Sequence, residues 1–520
     1  MAEIRANYER LPTFRLDYDS ENLEDDFKDK PVQHRHHLSL LVRKSRRLTS
    51  RLCRPHSLLA LLLGLLGLQL LWNGSYGENS APKFQVNKQE KVFIAANIID
   101  GDLIESAWGP RLLSLIDLIG SERTFVSIYG GPSLELLQLK EKLKCNHKVV
   151  VEDTEPVKLD KLPKIMLPDG LQRIKRIAFL AEVRNKVLEP LVYLETQGIV
   201  FGKVLFINDV YFEPTEVLRL IWGTNVDKHG NAAYKAACAA DFSTSWKYYD
   251  TFATRDAEGY SLGVPIYPWF SSEGEAVSRN DVLASRDAVR VKSCWGGMVS
   301  FDARYFTPNT PSLSDHERLN TSIQASKDEA QVQLPLRFRS EPEPFWDSSE
   351  CCLIHADISA LPELYRPGDE AREYDSGIYM NPYVRTAYSE SAFNWIPFAK
   401  RYERLLAPLQ HLINRLAKMP RPNYRRTEVA GQLVDDQRWI SYSVSPNLTL
   451  PLAPHHQDVS ENVWRQRGFY ENVKRVARRG GYCGVRQLLV LKEDQFSEEN
   501  NGKGGENWDN LLASVPPLNL

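Results

Sequence analysis

The side chains of this chain that are best suited to phosphate and metal chemistry lie beside short apolar runs. Asp209 comes almost directly after the apolar run 204–207, within the sequence GKVLFINDVYFEP. A carboxylate can bind a divalent cation, and the guanidinium of Arg184, upstream of it, is matched to phosphate oxygens. These two groups are residue types that a site for a metal ion and phosphate would need.

A strand and a helix would have to position these two groups. The run 204–207 is apolar, partly β-branched and bounded by turn-forming residues, which predicts a buried strand. Apolar residues recur at helical spacing over 176–191, which predicts an amphipathic helix that carries Arg184 and Asn185. In open α/β sheets, ligands bind at the carboxyl ends of such strands. A core strand that ends in an ordinary Asx turn is the competing interpretation.

Strand-like and helix-like segments alternate in the region before this strand. The runs KVFIAANIIDG and TFVSIYGGPS predict strands, and SAWGPRLLSLIDLIG between them predicts a helix. This alternation is typical of an α/β fold. A helix with Arg-Asn, a strand and an Asp-containing turn follow one another in the order found in GT-A nucleotide-sugar transferases. The turn of those enzymes usually has two carboxylates, whereas Asn208-Asp209-Val210 has one.

The composition bounds the domain count and the partners. The chain has 520 residues, which suffices for one large domain or two ordinary ones. Lys and Arg total 65 against 67 for Asp and Glu, so the overall charge gives no basis for nucleic-acid binding. We therefore expect no nucleic-acid partner.

A long apolar run near the N-terminus predicts a membrane anchor. Residues 57–72 read SLLALLLGLLGLQLLW, and their uncharged flanks extend the segment to 55–77. The preceding segment 34–54 carries several Arg and Lys and no acid, so the positive-inside rule keeps it in the cytoplasm. A type II protein with a single transmembrane helix is expected. A cleaved signal peptide is the rival interpretation, but the run begins far from Met1.

These segments divide the chain into five predicted regions. They are a cytoplasmic tail, disordered and then basic, at 1–54, a transmembrane signal anchor at 55–77, a short stem at 78–90, a lumenal catalytic domain at 91–493 and a disordered tail at 494–520. The catalytic region is therefore expected to begin with the first strand-like run.

The cysteines agree with a lumenal location. Six of the seven follow the apolar run, and in an oxidising compartment they could form up to three disulfides. Cys351 and Cys352 are not expected to bond to each other, because adjacent residues strain the bond geometry. A zinc site is the competing use of the cysteines, but no CxxC pair occurs. Glycosylation sequons occur at Asn73, Asn320 and Asn447.

Six motifs of the chain together resemble one known family. RIAFLAEVRN, LFINDVYFEP, YYDTFATRD, CWGGM, SECCLIHADI and NPYVRTAYS closely resemble the fungal family of the cryptococcal α-1,3-mannosyltransferase, the capsule-associated glycosyltransferase family 69, from about Lys91 to Arg486. The resemblance implies a type II Golgi membrane enzyme with a GT-A-like, Rossmann-like nucleotide-sugar-binding domain. It also implies GDP-mannose as the donor, a glycan acceptor, Mn2+ or another divalent cation as the cofactor, and an α-1,3 linkage in the product.

Under this resemblance, the turn and the helix before it supply candidate donor-binding residues. Asp209 is the candidate metal ligand, and Asn208 could assist through its amide oxygen. Arg184 and Asn185 are the candidates for the donor diphosphate or base. A salt bridge on the helix surface is the competing role for Arg184.

Further candidates lie in the downstream motifs. Trp295-Gly296-Gly297 resembles the glycine-rich loop that GT-A enzymes place against the donor sugar and acceptor, with a buried Trp beside a turn as the alternative. Glu350 and Asp256 are the candidate catalytic carboxylates, with a helix cap and a solvated turn as the respective alternatives. His355 is either a late metal ligand or a core residue.

The single carboxylate of the turn also leaves a second class of function open. A non-catalytic lumenal glycan-binding or assembly factor could keep a degenerate GT-A fold without turnover. Transfer of mannose to an acceptor would separate this alternative from the enzyme.

Overall fold

The computed structural model describes most of the chain, in eight segments. They are residues 55–71, 75–77, 81–166, 172–308, 332–361, 374–441, 468–492 and 508–510. The predicted cytoplasmic tail and the sequons at Asn73, Asn320 and Asn447 lie outside the described residues.

Helices and strands alternate through the first half of the described chain, and strands dominate the second. The helices are α1 Pro55–Leu71, α2 Gly101–Leu103, α3 Gly109–Ile119, α4 Ser133–Lys142, α5 Arg176–Thr196, α6 Pro214–Trp222, α7 Val277–Leu283, α8 Glu350–Ala360, α9 Glu390–Tyr402 and α10 Leu406–Leu416. The strands are β1 Val92–Ile98, β2 Thr124–Gly130, β3 Asn146–Val151, β4 Lys164–Met166, β5 Gln172–Ile174, β6 Lys203–Ile207, β7 Ala236–Thr244, β8 Lys247–Tyr248, β9 Arg255–Asp256, β10 Val289–Ser293, β11 Met298–Asp302, β12 Asp347–Ser348, β13 Ile378–Ala387, β14 Leu433–Ser441, β15 Gly468–Val476, β16 Gly484–Val485, β17 Leu489–Leu491 and β18 Trp508–Asn510.

A ten-stranded mixed sheet forms the centre of the molecule. Its order is β3-β2-β1-β6-β11-β7-β13-β10-β9, and β8 pairs with β7. Strands β3, β2, β1 and β6 are mutually parallel, whereas β11 is antiparallel to β6. Strands β1, β2 and β3 follow one another outward from the centre of the sheet, and β6 lies on the other side of β1. The strand order therefore reverses between β1 and β6, which is where open α/β sheets bind their ligands.

Both faces of this sheet are buried. Along β6, Val204 and Phe206 belong to one apolar cluster, and Leu205 and Ile207 belong to the other. This alternation follows from the two-residue period of a strand. Helix α5 packs against β1 and β2, and α3 packs against α6. The sheet is thus a core layer between helices, and the α/β prediction is confirmed.

The two elements predicted to position the candidate site are present. Strand β6 covers Lys203–Ile207, one residue longer than the predicted run. Helix α5 begins at Arg176, as predicted, and continues past 191 to Thr196. The predicted strands and helix near the start of the domain are also observed, as β1, β2 and α3.

Two segments at the edges of the predicted catalytic domain contact it in the structure. The described part of the predicted stem contacts the domain, because Glu90 Oε2 accepts a 2.7 Å hydrogen bond from Trp222 Nε1 and the Arg219 guanidinium lies 5.0 Å from the Phe84 ring centre. Within the predicted disordered tail, Trp508–Asn510 forms β18 and pairs with β17. Apolar and hydrogen-bonding partners supplied by distant segments order both pieces of chain, which local composition did not reveal.

The N-terminal apolar helix is α1. It spans the 17 residues Pro55–Leu71, and the residues between 71 and 75 are not described. In the part of the chain that the structure describes, no helix has the length and apolar character needed to cross a membrane.

Two disulfides link elements of the second half of the domain. Cys238 bonds to Cys294, and Cys352 bonds to Cys483. Cys145 is buried and free, and so is Cys351. The expectation that Cys351 and Cys352 do not bond to each other is confirmed.

Candidate active site

The candidate site lies at the point where the strand order reverses. The carboxyl end of β6 leads into Asn208 and Asp209, and the carboxyl end of the neighbouring β1 leads into Asp100. Asp100 caps α2, since its Oδ1 accepts a 3.0 Å hydrogen bond from Leu103 N. Its charge is also close enough to Asp209 to raise the pKa of that residue. Asp100 was not among the site residues predicted from the sequence, although it lies at the end of the first strand-like run.

Asn208 makes hydrogen bonds to several segments around the turn. Its Oδ1 accepts hydrogen bonds from Trp295 Nε1 at 3.2 Å and from Arg184 Nη1 at 3.4 Å. Its backbone carbonyl accepts from Trp108 Nε1 at 2.9 Å, and its backbone N–H donates to the carbonyl of Gly297. The predicted use of the Asn208 amide oxygen as a metal ligand competes with these two donors. The structure instead gives Asn208 the role of fixing the turn.

Asp209 carries a poorly compensated charge in a partly buried position. Burial raises the pKa of its carboxyl to about 7, and the nearby charge of Asp100 adds to this, while the Asp209 backbone amide and Arg184 act against it. A cation beside these oxygens would restore the compensation that water no longer provides. Carboxylate oxygen is the ligand type that Mg2+ and Mn2+ prefer. The donor chemistry here therefore fits a divalent cation held by Asp209.

Arg184 is held by an acid on one side and an aromatic ring on the other. Its Nε donates to Glu350 Oε1 at 2.9 Å, and its guanidinium carbon lies 4.2 Å from the Trp295 ring centre. Helix α5 supplies Arg184 and the start of α8 supplies Glu350, so the pair joins two helices next to the turn. This buried ion pair replaces the surface salt bridge considered as the alternative for Arg184.

Glu350 is the first residue of α8 and is 1% exposed. Its Oε1 is used by Arg184, whereas its Oε2 is buried and has no hydrogen-bond partner among the described residues. A buried carboxylate oxygen without a partner is costly unless a ligand or water supplies a donor. Glu350 is thus placed to accept a hydrogen bond from a ligand.

Asn185 serves the scaffold. Its Nδ2 donates to the carbonyl of Phe338, and the N–H of Phe338 donates back to Asn185 Oδ1. Both ends of the side-chain amide are therefore used by one backbone residue. The Phe338 ring lies 5.9 Å from the Trp295 ring, so Asn185 supports the site indirectly, through Phe338. The sequence had predicted that Asn185 contacts the nucleotide-sugar donor.

The loop Trp295-Gly296-Gly297 closes the site next to the turn. Gly296 has a φ of +62°, and a Cβ on it would lie 1.9 Å from the carbonyl oxygen of Ala239. Gly297 has a φ of +67° and faces Val210 and Thr386. The predicted close backbone approach is therefore observed, and it explains why both positions are glycine. Trp295 is itself buried and touches Arg184 with its ring, which combines the two interpretations made from the sequence.

Asp250 holds this loop in place through hydrogen bonds, and it was not among the site residues predicted from the sequence. Its Oδ2 accepts hydrogen bonds from Trp295 N at 2.9 Å and Gly296 N at 3.4 Å, and also from Thr254 Oγ1. Its Oδ1 accepts from Ala253 N at 3.0 Å. Burial raises the pKa of the Asp250 carboxyl, and these donors partly offset that effect. Asp250 lies in the motif YYDTFATRD, from which only Asp256 was selected.

A second buried acid, Asp241, lies beside Asp250. It accepts hydrogen bonds from Asp250 N at 3.1 Å and from the Tyr388 hydroxyl at 3.0 Å. Burial, and then the charge of Asp250, raises the pKa of Asp241 well above its usual value. The rings of Tyr388 and Tyr249 lie 4.1 Å apart. The charges of Asp209 and Asp241 both act on this pair of tyrosines, so the two acids belong to one acidic region.

Asp256 lies outside this cluster. Its Oδ1 accepts the backbone amides of Glu258 and Tyr260, at 2.9 and 2.8 Å, and so closes a tight turn after β9. The residue is buried, so the turn is not a solvated one. Local hydrogen bonding therefore explains Asp256 without a role at the candidate site, contrary to its selection as a catalytic carboxylate.

His355 is a core residue. It is fully buried, and its Nδ1 lies 2.6 Å from the carbonyl oxygen of Cys351. Cys238, Cys294 and His355 place their ligand atoms within 4.8 Å of one another, as metal ligands do. The two sulfur atoms are bonded to each other, however, so they are not available as zinc ligands.

Comparisons with known proteins show the family of this chain. Residues 91–357, slightly more than half of the chain, match the family model described as Cryptococcal mannosyltransferase 1. No curated protein matches the chain.

Several solved structures resemble parts of the fold. The mannosyltransferase PcManGT from Pyrobaculum calidifontis, in complex with GDP-Man and Mn2+, is 11% identical, with a TM-score of 0.28, and the match covers 70% of this chain and 76% of that one. Glucosyl-3-phosphoglycerate synthase from Mycobacterium tuberculosis is 10% identical, with a TM-score of 0.29 and coverages of 68% and 88%. S. aureus TarS is 11% identical, with a TM-score of 0.26 and coverages of 65% and 75%. TM-scores this low carry no argument about the function of this chain.

Proposed function

The chain belongs to the cryptococcal mannosyltransferase 1 family, and from this premise we propose that it transfers mannose from GDP-mannose to a mannose-containing glycan. Family membership makes the chain a glycosyltransferase. The donor, the acceptor, an α-1,3 linkage and dependence on a divalent cation are the proposed part. The observation that carries the proposal is the convergence of Asp209, Arg184 and Glu350 on one turn at the reversal point of the sheet.

Each of these residues has a distinct task in the proposed reaction. Asp209 would hold Mn2+ or another divalent cation, which when bound neutralises charge on the leaving diphosphate. Arg184 is fixed by Glu350 and the Trp295 ring, and its Nη2 makes no hydrogen bond to a described residue. That group is therefore available to a phosphate oxygen, and it would stabilise charge that develops there during transfer.

The sugar would lie next to Glu350, on the side of Arg184 away from the diphosphate. Glu350 Oε2 is the unpaired acceptor at this point and would take a hydrogen bond from a sugar hydroxyl. The Trp295 loop, fixed by Asp250 and its two glycines, would form the wall against the sugar. Preorganised groups of this kind bind the reacting atoms in one geometry and exclude water.

The decisive experiment replaces the candidate metal ligand. Asp209→Asn keeps the side-chain size and removes the charge, so the purified full chain should fold normally. Its kcat/KM for GDP-mannose and a mannobiose acceptor should fall about a hundredfold, the usual effect of losing one well-placed electrostatic group. Calorimetry should show weaker Mn2+ binding, and added Mn2+ should restore part of the activity. Asp256→Asn is the matched control, a buried acid outside the site, and it should retain wild-type values.

The alternative function predicts a different result. A glycan-binding factor without turnover would bind mannosides but release no GDP and form no product across a panel of mannose-containing acceptors. A wild-type metal response in Asp209→Asn would remove the metal assignment. Methylation analysis of the product tests the α-1,3 linkage separately.

We also propose that the domain resides in the Golgi lumen behind a type II anchor. The basic flank of the apolar segment and the two disulfides support this location, because disulfides persist in oxidising compartments. In sealed microsomes, an N-terminal tag should be digested by added protease while the catalytic domain is protected. A protected N-terminal tag would overturn the topology.

A further inference from the structure

A second cavity opens at the opposite end of β6. It has a volume of about 480 Å³ and is bordered by the start of β6, the end of β11 and the loop 225–235. We call it the rear pocket. Asp209 follows the carboxyl end of β6, whereas Lys203 in the rear pocket begins the strand. Five residues of strand separate the two ends by roughly 17 Å, so the rear pocket is a separate place from the candidate active site.

The size of the rear pocket suits a small ligand. Sites for small molecules usually have volumes of roughly 300–1,000 Å³. The walls combine aromatic residues, including Trp222 and Tyr234, with charged groups. A few polar groups in a partly apolar cavity are typical of a site that orients a ligand.

Lys203 is a charged and nearly buried group of this lining. The residue is 6% exposed, and its Nζ lies 4.0 Å from the centre of the Tyr234 ring. Within the described chain, no carboxylate lies at salt-bridge distance from this Nζ, and it makes no hydrogen bond. An ammonium group donates up to three hydrogen bonds and accepts none, so Lys203 requires acceptor oxygens from outside the protein.

Each of the three nearby acids has a hydrogen-bond partner other than Lys203. Asp302 binds Arg304 through both carboxylate oxygens, at 3.1 Å to Nε and 2.6 Å to Nη2 for Oδ2. Glu90 Oε2 accepts from Trp222 Nε1. Asp227 Oδ1 accepts the backbone amides of His229 and Asn231, which closes the loop over the rear pocket. The acids therefore do not neutralise Lys203 by direct contact.

The overall charge of the lining selects the class of ligand. Lys203, Lys235 and Arg304 balance Glu90, Asp227 and Asp302, so the walls carry no net charge. A phosphate would gain from Lys203 but would be repelled by the carboxylates. A sugar hydroxyl both donates and accepts hydrogen bonds, so it matches walls that offer both kinds of group.

We propose that the rear pocket is a second saccharide-binding site, which takes a neutral sugar of one or two residues with a hydroxyl on Lys203. The site is independent of sugar transfer, because none of the groups assigned to that reaction lines it. A chain without transferase activity could still bind a saccharide here.

Hydrogen exchange provides a local readout. α-Mannobiose, added to the purified full chain, should slow amide exchange in residues 225–235, in the wild type and equally in Asp209→Asn. Lys203→Met keeps most of the aliphatic side chain and removes the ammonium that lies over the Tyr234 ring, so it should weaken the affinity measured from this protection about tenfold, as expected for one charged hydrogen bond. Its transfer activity should stay at the wild-type value.

A second variant guards against misfolding of Lys203→Met. Asn231 also lines the rear pocket, and its side chain is exposed. Asn231→Ala removes a polar group that a sugar hydroxyl could use and keeps the hydrogen bond from the backbone amide to Asp227, so it should weaken the protection about threefold, as for a weak neutral hydrogen bond. Absence of protection by mannobiose in the wild type would overturn the proposal. Protection by sodium phosphate and not by mannobiose would also overturn it, because the site would then select an anion. Protection that is the same in the wild type and in both variants would place the sugar elsewhere.

Discussion

Replacement of Asp250 by Asn tests whether hydrogen bonds to this carboxylate hold the loop Trp295-Gly296-Gly297 in place. Four donors converge on this carboxylate: Trp295 N, Gly296 N and Thr254 Oγ1 on Oδ2, and Ala253 N on Oδ1. An Asn side chain offers one acceptor oxygen and one NH2 group. In either orientation, at least one backbone N–H must face the NH2 group and loses its acceptor.

The structure allows the magnitude to be worked out. In the better orientation the Asn oxygen replaces Oδ2, so only the Ala253 amide is left without an acceptor. One lost hydrogen bond and one buried unsatisfied donor together cost about 2–3 kcal/mol of unfolding free energy. The loop is also held less strongly, because the acceptor of the Trp295 and Gly296 amides is no longer charged. A displacement near 1 Å at Trp295 would disturb the ring that supports Arg184, and errors of that size lower turnover by up to about a hundredfold.

Asp256→Asn is again the control. The Glu258 and Tyr260 amides both donate to Oδ1 of the Asp256 carboxylate, so an Asn oxygen can replace it, and we expect a loss below about 1 kcal/mol. Urea denaturation gives the unfolding free energy, and steady-state kinetics of mannose transfer give kcat and KM. Asp250→Asn should lower kcat/KM by about ten- to a hundredfold under conditions where it is fully folded. A stability loss with unchanged kinetics would show that Asp250 supports only the fold. A kinetic defect in Asp256→Asn would restore that residue as a catalytic candidate.

Three further predictions concern buried groups near the site. Burial lowers the pKa of His355 to about 4, against about 6.5 when unfolded, so the unfolded chain binds more protons between these values and stability must fall as pH falls through this window. Between pH 7 and pH 5 the unfolding free energy of the wild type should fall by about 2 kcal/mol because of this residue, and urea titrations of His355→Gln should lack that part of the loss. An equal dependence of the unfolding free energy on pH in both proteins would contradict the lowered pKa of His355. Gly296→Ala places a Cβ 1.9 Å from the carbonyl oxygen of Ala239, so it should destabilise the fold by more than ~2 kcal/mol and abolish transfer. Gly230 has a φ of +83° and open space around it, so Gly230→Ala should cost only about 1 kcal/mol in the same denaturation assay. Cys483→Ser opens the bond to Cys352 and should lower the unfolding free energy by about 2–4 kcal/mol, while Cys145→Ser should have a small effect; equal losses in the two variants would argue against that disulfide.

The apolar pattern of the sequence was enough to predict the local elements of the site. The run 204–207 and the helical period over 176–191 appear as β6 and α5, because side-chain periodicity depends only on the geometry of each element. The position of Asp209 just beyond a strand end, and the need for glycine at Gly296 and Gly297, were likewise readable. The strand end is set by neighbours along the chain, whereas the close contact that requires glycine at position 296 is with the distant Ala239.

The partners of each polar side chain were decided by the tertiary structure. Asp250 and Asp256 lie in one motif and look equivalent in sequence, yet only Asp250 meets the Trp295 loop, which follows β10 much later in the chain. Asn185 was selected beside Arg184, but the distant Phe338 occupies its amide. The pairing of β6 with β1, which brings Asp100 beside Asp209, depends on how the whole sheet is ordered. Hydrogen bonds and charges act over a few ångströms in space, so their partners are fixed only when segments separated by tens or hundreds of residues have packed together.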